Sequence, residues 1–191
     1  MLAAQCVFTM LSAEHSVIRR NLSALMDLVR TDGWHRPGAM LDRLGDLVKF
    51  LHTYERDFHA GKERECLLPA LQGRGPEADR LVLEVELADA HHGVLLSRAL
   101  ALLQALSRGD SARAPELADL LGHYEAGVLR LQSIEEGELF RIGQELLCGE
   151  DWSQIASAMS RGAGGSRRPP VSGWQTAGGS TSRAASSHPL H

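Results

Sequence analysis

The segment LDRLGDLVKFL, residues 41–51, decides the fold class of this chain. Its apolar residues recur at intervals of three and four positions, which places them along one face of an α-helix. The apolar run continues toward Leu71 and contains no proline before Pro69. Because proline disrupts a helix interior, the pattern predicts one long helix that ends near Pro69. The glycine-rich stretch at residues 72–76 then closes this helix.

The same periodicity predicts three further long helices at about residues 9–29, 77–106 and 115–147. Residues 31–38 and 107–110 combine glycine with aspartate, and the first also holds a proline, which is typical of turns. Four long helices joined by short loops run antiparallel to their neighbours, because a short loop cannot carry the chain back to the other end. The predicted fold class is therefore all-α, an up-down-up-down four-helix bundle.

A short fifth helix is predicted at residues 151–159, near the end of the bundle. Asp151 is the candidate N-cap, since an aspartate side chain accepts hydrogen bonds from the first free N–H groups of a helix. Trp152 and Ile155 are expected to fold back onto the bundle.

The composition changes abruptly after Ser160 to glycine, serine, proline and arginine. Such a segment cannot bury enough apolar surface to offset the entropy lost on ordering. We therefore expect two parts, a helical bundle at residues 1–160 and a disordered tail at residues 161–191.

Charge and composition narrow the range of functions. The tail holds four of the 20 basic residues and no acidic residue, so the bundle carries 16 basic and 24 acidic groups. An acidic body disfavours nucleic acid as the main partner, because phosphate backbones are bound by lysine and arginine. A content of 43% hydrophobic and only 5% aromatic residues favours helices over a β-sandwich or barrel.

The sequence lacks the features that are typical of secreted and membrane proteins. Cys6, Cys66 and Cys148 are odd in number and far apart, which is not the pattern of a disulfide framework. The N-terminal residues lack the cationic first segment of a secretory signal, and no apolar run is long enough to span a membrane. We therefore predict a cytoplasmic protein that makes no membrane contact.

The residues that carry chemistry are histidines and carboxylates on the predicted helices. His59 and Glu63 are four positions apart, so both lie on the same face of the second helix and can reach one metal ion. By itself this spacing also occurs by chance on solvated helices. An internal repeat adds to it, since Glu63 precedes the pair Leu67-Leu68 as Glu135 precedes Leu139-Phe140. The repeat suggests equivalent positions on two helices.

Three segments of the chain together resemble the hemerythrin HHE cation-binding family over roughly residues 10–159. The segments are Glu14-His15-Ser16-Val17-Ile18, His59-Ala60-Gly61-Lys62-Glu63 with Leu67-Leu68-Pro69, and Glu135-Glu136-Gly137-Glu138-Leu139-Phe140. The resemblance implies a four-helix bundle around a non-haem di-iron centre and a role in sensing, storage or protection rather than in turnover of an organic substrate. It implies iron as the cofactor and a small diatomic molecule, oxygen or nitric oxide, as the partner. The metal ligands that it implies are His15, His59, Glu63, His91 and Glu135.

Two departures from the family pattern reduce this ligand set. Leu131 stands where the family usually has the histidine of the fourth helix. On the third helix the histidine is displaced, so that either His91 or His92 would have to take its place, and His91 needs the smaller rotation. The expected centre is thus either a di-iron site or a degenerate single-metal site. The alternative is a metal-free bundle that binds a protein partner through its helix faces or its tail.

Overall fold

The computed structural model describes residues 2–165, and nearly all of them are helical. The helices are α1 (Leu2–Arg30), α2 (39–71), α3 (Pro76–Ser107), α4 (114–146) and α5 (Gly149–Gly165). A short 3₁₀ segment, Ser111–Arg113, precedes α4. The described residues contain no β-strand, so the predicted all-α class is confirmed.

The predicted helix limits differ from the observed ones mainly at the two ends of the described chain. Helix α1 begins at Leu2 rather than near residue 9, because Ala4 and Val7 extend its buried face by two turns. Helix α5 runs to Gly165, five residues past the predicted end of the bundle at residue 160. The rest of the predicted disordered tail, 166–191, lies outside the described residues.

Asp151 is not the N-cap of α5, contrary to the prediction, because the helix begins two residues earlier at Gly149. The carboxylate of Asp151 instead accepts the backbone N–H of Cys148 at 2.9 Å. This is the reach-back contact that an acidic residue in the third helical position makes in a capping box. Trp152 and Ile155 are buried, as predicted.

Helices α2 and α4 are interrupted by π-helical segments, in which a backbone N–H bonds to the carbonyl five residues earlier. The π segments are Tyr54–His59 and Glu63–Leu67 in α2, and Glu135–Leu139 in α4. Two of them begin at the glutamates of the internal repeat. Each of these two ends on the first member of the apolar pair, and both members of each pair are buried. Such segments are uncommon and are frequently found at functional sites.

Helix α1 packs against α2, α4 and α5, and α3 packs against α2 and α4. The buried apolar residues form two clusters. One cluster contains Ile18 of α1, Leu51 of α2 and Leu96 of α3. The other contains Leu11 of α1 and Leu67 of α2, with further residues from α3, α4 and α5.

A polar layer separates the two apolar clusters. On α1, Glu14 and His15 lie between Leu11 and Ile18, and on α2 the segment from Glu55 to Glu63 lies between the clusters in the same way. Buried polar side chains are costly unless they are paired. We therefore expect the functional site to lie in this polar layer.

Within residues 2–165, no helix combines the length and apolar character required to cross a lipid bilayer.

Candidate metal centre

Four of the five predicted ligands come together in the polar layer. His15 from α1, His59 and Glu63 from α2 and Glu135 from α4 each offer one ligand atom, and these four atoms lie within 4.8 Å of one another. The Nε2 atoms of the two histidines are 3.0 Å apart. Nε2 of His15 is 3.1 Å from Oε2 of Glu135, and Nε2 of His59 is 3.8 Å from Oε2 of Glu63.

The two carboxylates of this cluster are buried and short of partners. Glu63 is 0% exposed and Glu135 is 1% exposed. Neither oxygen of Glu63 accepts a hydrogen bond. Oε2 of Glu135 accepts none either, since the Nε2 atom of His15 beside it carries no proton when Nδ1 of that neutral ring donates to Glu136. Buried polar atoms without partners are rare in folded proteins and call for an explanation, of which a bound ion is one.

The electrostatic state of the carboxylates reflects their burial. Removal from water, reinforced by the nearby charge of Glu135, raises the pKa of Glu63 well above its usual range. Burial, together with the charge of Asp89, likewise raises the pKa of Glu135. A cation placed between the two would reverse this effect, because it stabilises the ionised carboxylates.

The two histidines have opposite shifts. Burial, together with the neighbouring His59, lowers the pKa of His15 to about 4. Burial also opposes a charge on His59, but the carboxylates of Glu63 and Glu14 outweigh it and raise the pKa of His59. The two imidazoles therefore differ in how readily they take up a second proton, although their Nε2 atoms are only 3.0 Å apart.

Each histidine also contacts a carboxylate through its other ring nitrogen. Nδ1 of His15 donates to Oε1 of Glu136 at 2.7 Å, and Nδ1 of His59 donates to Oε2 of Glu14 at 3.0 Å. A hydrogen bond of this kind holds the proton on Nδ1 and leaves Nε2 as the coordinating atom. Both imidazoles therefore present Nε2 to the cluster.

The fifth predicted ligand, His91, does not join this cluster, because it is exposed on the outer face of α3. The buried histidine of α3 is His92, which is 3% exposed. The buried face of α3 runs through Val85, His92, Leu96 and Ala99, at helical spacings. Successive helix residues are rotated by about 100°, so the neighbour of a buried residue points away from the core. This apolar stripe was the sequence signal that distinguishes the two histidines.

His92 does not join the four-residue cluster but takes part in a second polar group. Its Nδ1 lies 3.2 Å from Oε1 of Glu55, and the hydroxyl of Tyr124 donates to Oε2 of the same carboxylate. The ring of His92 fits against α4 because position 127 is glycine, where a Cβ atom would come within 2.7 Å of Nε2. Sequence reasoning did not find Glu55 or Tyr124, although Glu55 is one helical turn before His59.

A cleft of about 620 Å³ lies between α2 and α3, beside the two polar groups. Glu55, Asp89 and His92 line it, and its wall includes the small residues Ala60 and Gly93. Burial and the charge of Glu55 raise the pKa of Asp89 to about 6. Helix α3 therefore contributes to the cleft a carboxylate whose charge acts on Glu63 and Glu135.

No protein-family model matches the sequence, and no curated protein matches it significantly.

Proposed function

We propose that this chain is a hemerythrin-like metal-binding protein in which His15, His59, Glu63 and Glu135 hold one divalent transition-metal ion. The observation that carries the proposal is the set of buried carboxylate oxygens without partners, which face the Nε2 atoms of two histidines. Imidazole nitrogen and carboxylate oxygen together suit iron, manganese or zinc.

The excess of buried negative charge supports a cation. The buried charged groups of the polar layer include the carboxylates of Glu14, Glu55, Glu63 and Glu135 and the ammonium of Lys62. With the carboxylates ionised and the histidines neutral, four negative charges and one positive charge leave an excess of negative charge. A divalent cation reduces this excess. Without it, the site must retain protons, since isolated buried charges are strongly unfavourable.

The proposed ion is iron, in keeping with the resemblance to the hemerythrin family. A single ion is favoured over the di-iron centre of that family, because the described residues contain one cluster of suitable ligands and Leu131 is buried where a further histidine would stand. Iron with an open coordination position would supply reversible binding of a small diatomic molecule. The role that follows is sensing, storage or protection.

The proposal includes the up-down-up-down arrangement of helices α1 to α4. The connections are short, at residues 31–38, 72–75 and 108–113, which supports antiparallel neighbours. The packing of α1 on α2 and α4, and of α3 on α2 and α4, is the set of contacts that such a bundle requires.

A metal-free bundle that binds a protein partner is the second candidate. The observation that favours it is an exposed apolar stripe on α3, formed by Leu83, Leu87 and Val94, which are 55%, 62% and 65% exposed. These positions share one helix face, and exposed apolar patches commonly mark interaction surfaces.

Metal content after purification from iron-supplemented medium decides between the two candidates. We expect about one ion per chain, and its loss in His59→Ala, because that substitution removes a ligand atom. The matched control is His91→Ala, which removes an exposed histidine from α3 and should leave the metal content unchanged. Equal and substoichiometric metal in all three proteins would overturn the metal-binding proposal and favour the scaffold.

A further inference from the structure

A buried ion pair lies next to the four-residue cluster, on the Nδ1 side of His59. Lys62 is 8% exposed and Glu14 is 6% exposed, and the ammonium of Lys62 donates to Oε1 of Glu14. The same ammonium lies 3.7 Å from the centre of the Phe58 ring and 3.9 Å from Sδ of Met10. Among residues 2–165, Lys62 is the one lysine or arginine that is buried.

Such a pair needs a reason, because buried ion pairs seldom stabilise a fold. The loss of hydration on burying two charges offsets much or all of their attraction. Lysine in particular is almost never fully buried unless it is paired. The position of Glu14 supplies the reason.

Glu14 connects Lys62 to the cluster, since its two oxygens have different partners. Oε1 accepts from the ammonium of Lys62, and Oε2 accepts Nδ1–H of His59 at 3.0 Å. The far side of the His59 ring is Nε2, which faces the cluster. The contacts therefore run from a cation through a carboxylate to an imidazole.

The other histidine has the same arrangement, but at the surface. Oε1 of Glu136 accepts Nδ1–H of His15 at 2.7 Å and also a guanidinium N–H of Arg19 at 3.1 Å. Arg19 and Glu136 are 38% and 36% exposed. Water can take over the part of an exposed cation, whereas nothing replaces the ammonium of Lys62 in the interior.

We propose that Lys62 is a positioning residue, which holds Glu14 against Nδ1 of His59 and so keeps Nε2 of His59 available to the metal ion. The inference rests on the proposed function. In it Lys62, which does not itself coordinate the metal ion, determines the orientation of the ligand His59. Outer contacts of this kind typically change metal affinity by about 10–100-fold.

The test measures the dissociation constant for Co²⁺ by calorimetry in four proteins. Lys62→Met should weaken binding by about 10–100-fold. The double variant Glu14→Gln with Lys62→Met removes both buried charges and should weaken binding similarly, even if the single variant fails to fold. Arg19→Met is the matched control and should change the affinity by roughly fivefold or less, because a surface ion pair contributes little.

A second readout does not depend on metal. In the metal-free wild-type protein at alkaline pH, imidazole ¹⁵N chemical shifts should show the proton of neutral His59 on Nδ1. In the double variant the population with the proton on Nε2 should increase. Arg19→Met should leave the His59 signal unchanged.

The two readouts separate the possible failures. Wild-type affinity and an unchanged His59 tautomer in the double variant would overturn the role of Lys62 and leave the metal site standing. Absence of Co²⁺ binding by the wild-type protein would overturn the proposed function, and the tautomer would then still decide whether Lys62 orients His59.

Discussion

Glu63→Gln is expected to stabilise the metal-free protein and to weaken its response to metal. Glu63 is fully buried, and neither of its oxygens has a hydrogen-bond partner. An amide of nearly the same shape is neutral at every pH, so the variant neither buries a charge nor has to take up a proton. Its NH₂ group is also placed near Oε2 of Glu135, which likewise lacks a partner.

The magnitude follows from the cost of an unsatisfied buried group. Such a group costs about 1–3 kcal/mol, and more when it is charged. We therefore expect the metal-free variant to gain about 2 kcal/mol in free energy of unfolding, which corresponds to roughly 4–8 °C in Tm for a chain of this size.

Metal should reverse the order of stability. At a free ion concentration of one hundred times the dissociation constant, the wild-type protein gains about 2.7 kcal/mol. The variant lacks one coordinating carboxylate, and if this weakens binding about 100-fold the variant gains only about 0.4 kcal/mol at the same ion concentration. The wild-type protein is then the more stable of the two with metal, and the less stable without it.

The assay is thermal and urea denaturation of both proteins, first with a chelator and then with a titrated excess of Co²⁺. The control is Glu65→Gln, an equivalent change at an exposed position of the same helix, which should alter neither stability nor metal response. The reasoning is refuted if Glu63→Gln destabilises the chelated protein, or if the variant keeps the full metal-dependent increase in Tm.

Three further predictions concern proton linkage, the missing ligand and the packing of α3 on α4. The folded protein holds a proton on Glu63 more tightly than the unfolded chain does, because the pKa of Glu63 is raised in the folded state. The stability advantage of Glu63→Gln in chelator should therefore grow as the pH rises above the ordinary pKa of 4.5. Denaturation at several pH values checks this. Leu131→His places an imidazole one turn before Glu135, and calorimetry should show tighter binding of Co²⁺; unchanged affinity would contradict the expected register. Gly127→Ala should lower the free energy of unfolding, measured by urea denaturation, by about 1–3 kcal/mol, because its Cβ would come within 2.7 Å of the buried ring of His92. The control Gly122→Ala has open space around its Cβ and should not destabilise the protein.

The elements predicted from the sequence agree closely with the structure because helix formation is encoded locally. Apolar residues at intervals of three and four positions specify which face of each helix is buried, whatever that face contacts. The residues that the family resemblance implies on α1, α2 and α4, namely His15, His59, Glu63 and Glu135, each lie on a buried face of their own helix. On α3 the apolar stripe selects His92 rather than His91.

The π segments could not be predicted from periodicity. A π turn inserts an additional residue between successive hydrogen bonds, and it persists only where tertiary contacts compensate for its poorer geometry. Two of the three π segments begin at Glu63 and Glu135, and each ends on the first member of an apolar pair in which both members are buried. The internal repeat in the sequence marked the positions but not the conformation.

The sequence alone therefore determined the all-α class and the approximate helix limits, and the family resemblance pointed to the four residues that meet in the polar layer. Only the tertiary structure decided which further residues contact the side chains of the polar layer. The contacts of Lys62 with Glu14, and of Tyr124 with Glu55, join residues 48 and 69 positions apart. Such contacts depend on the axial displacement and rotation of one helix against another, and no local pattern of residue types encodes these two quantities.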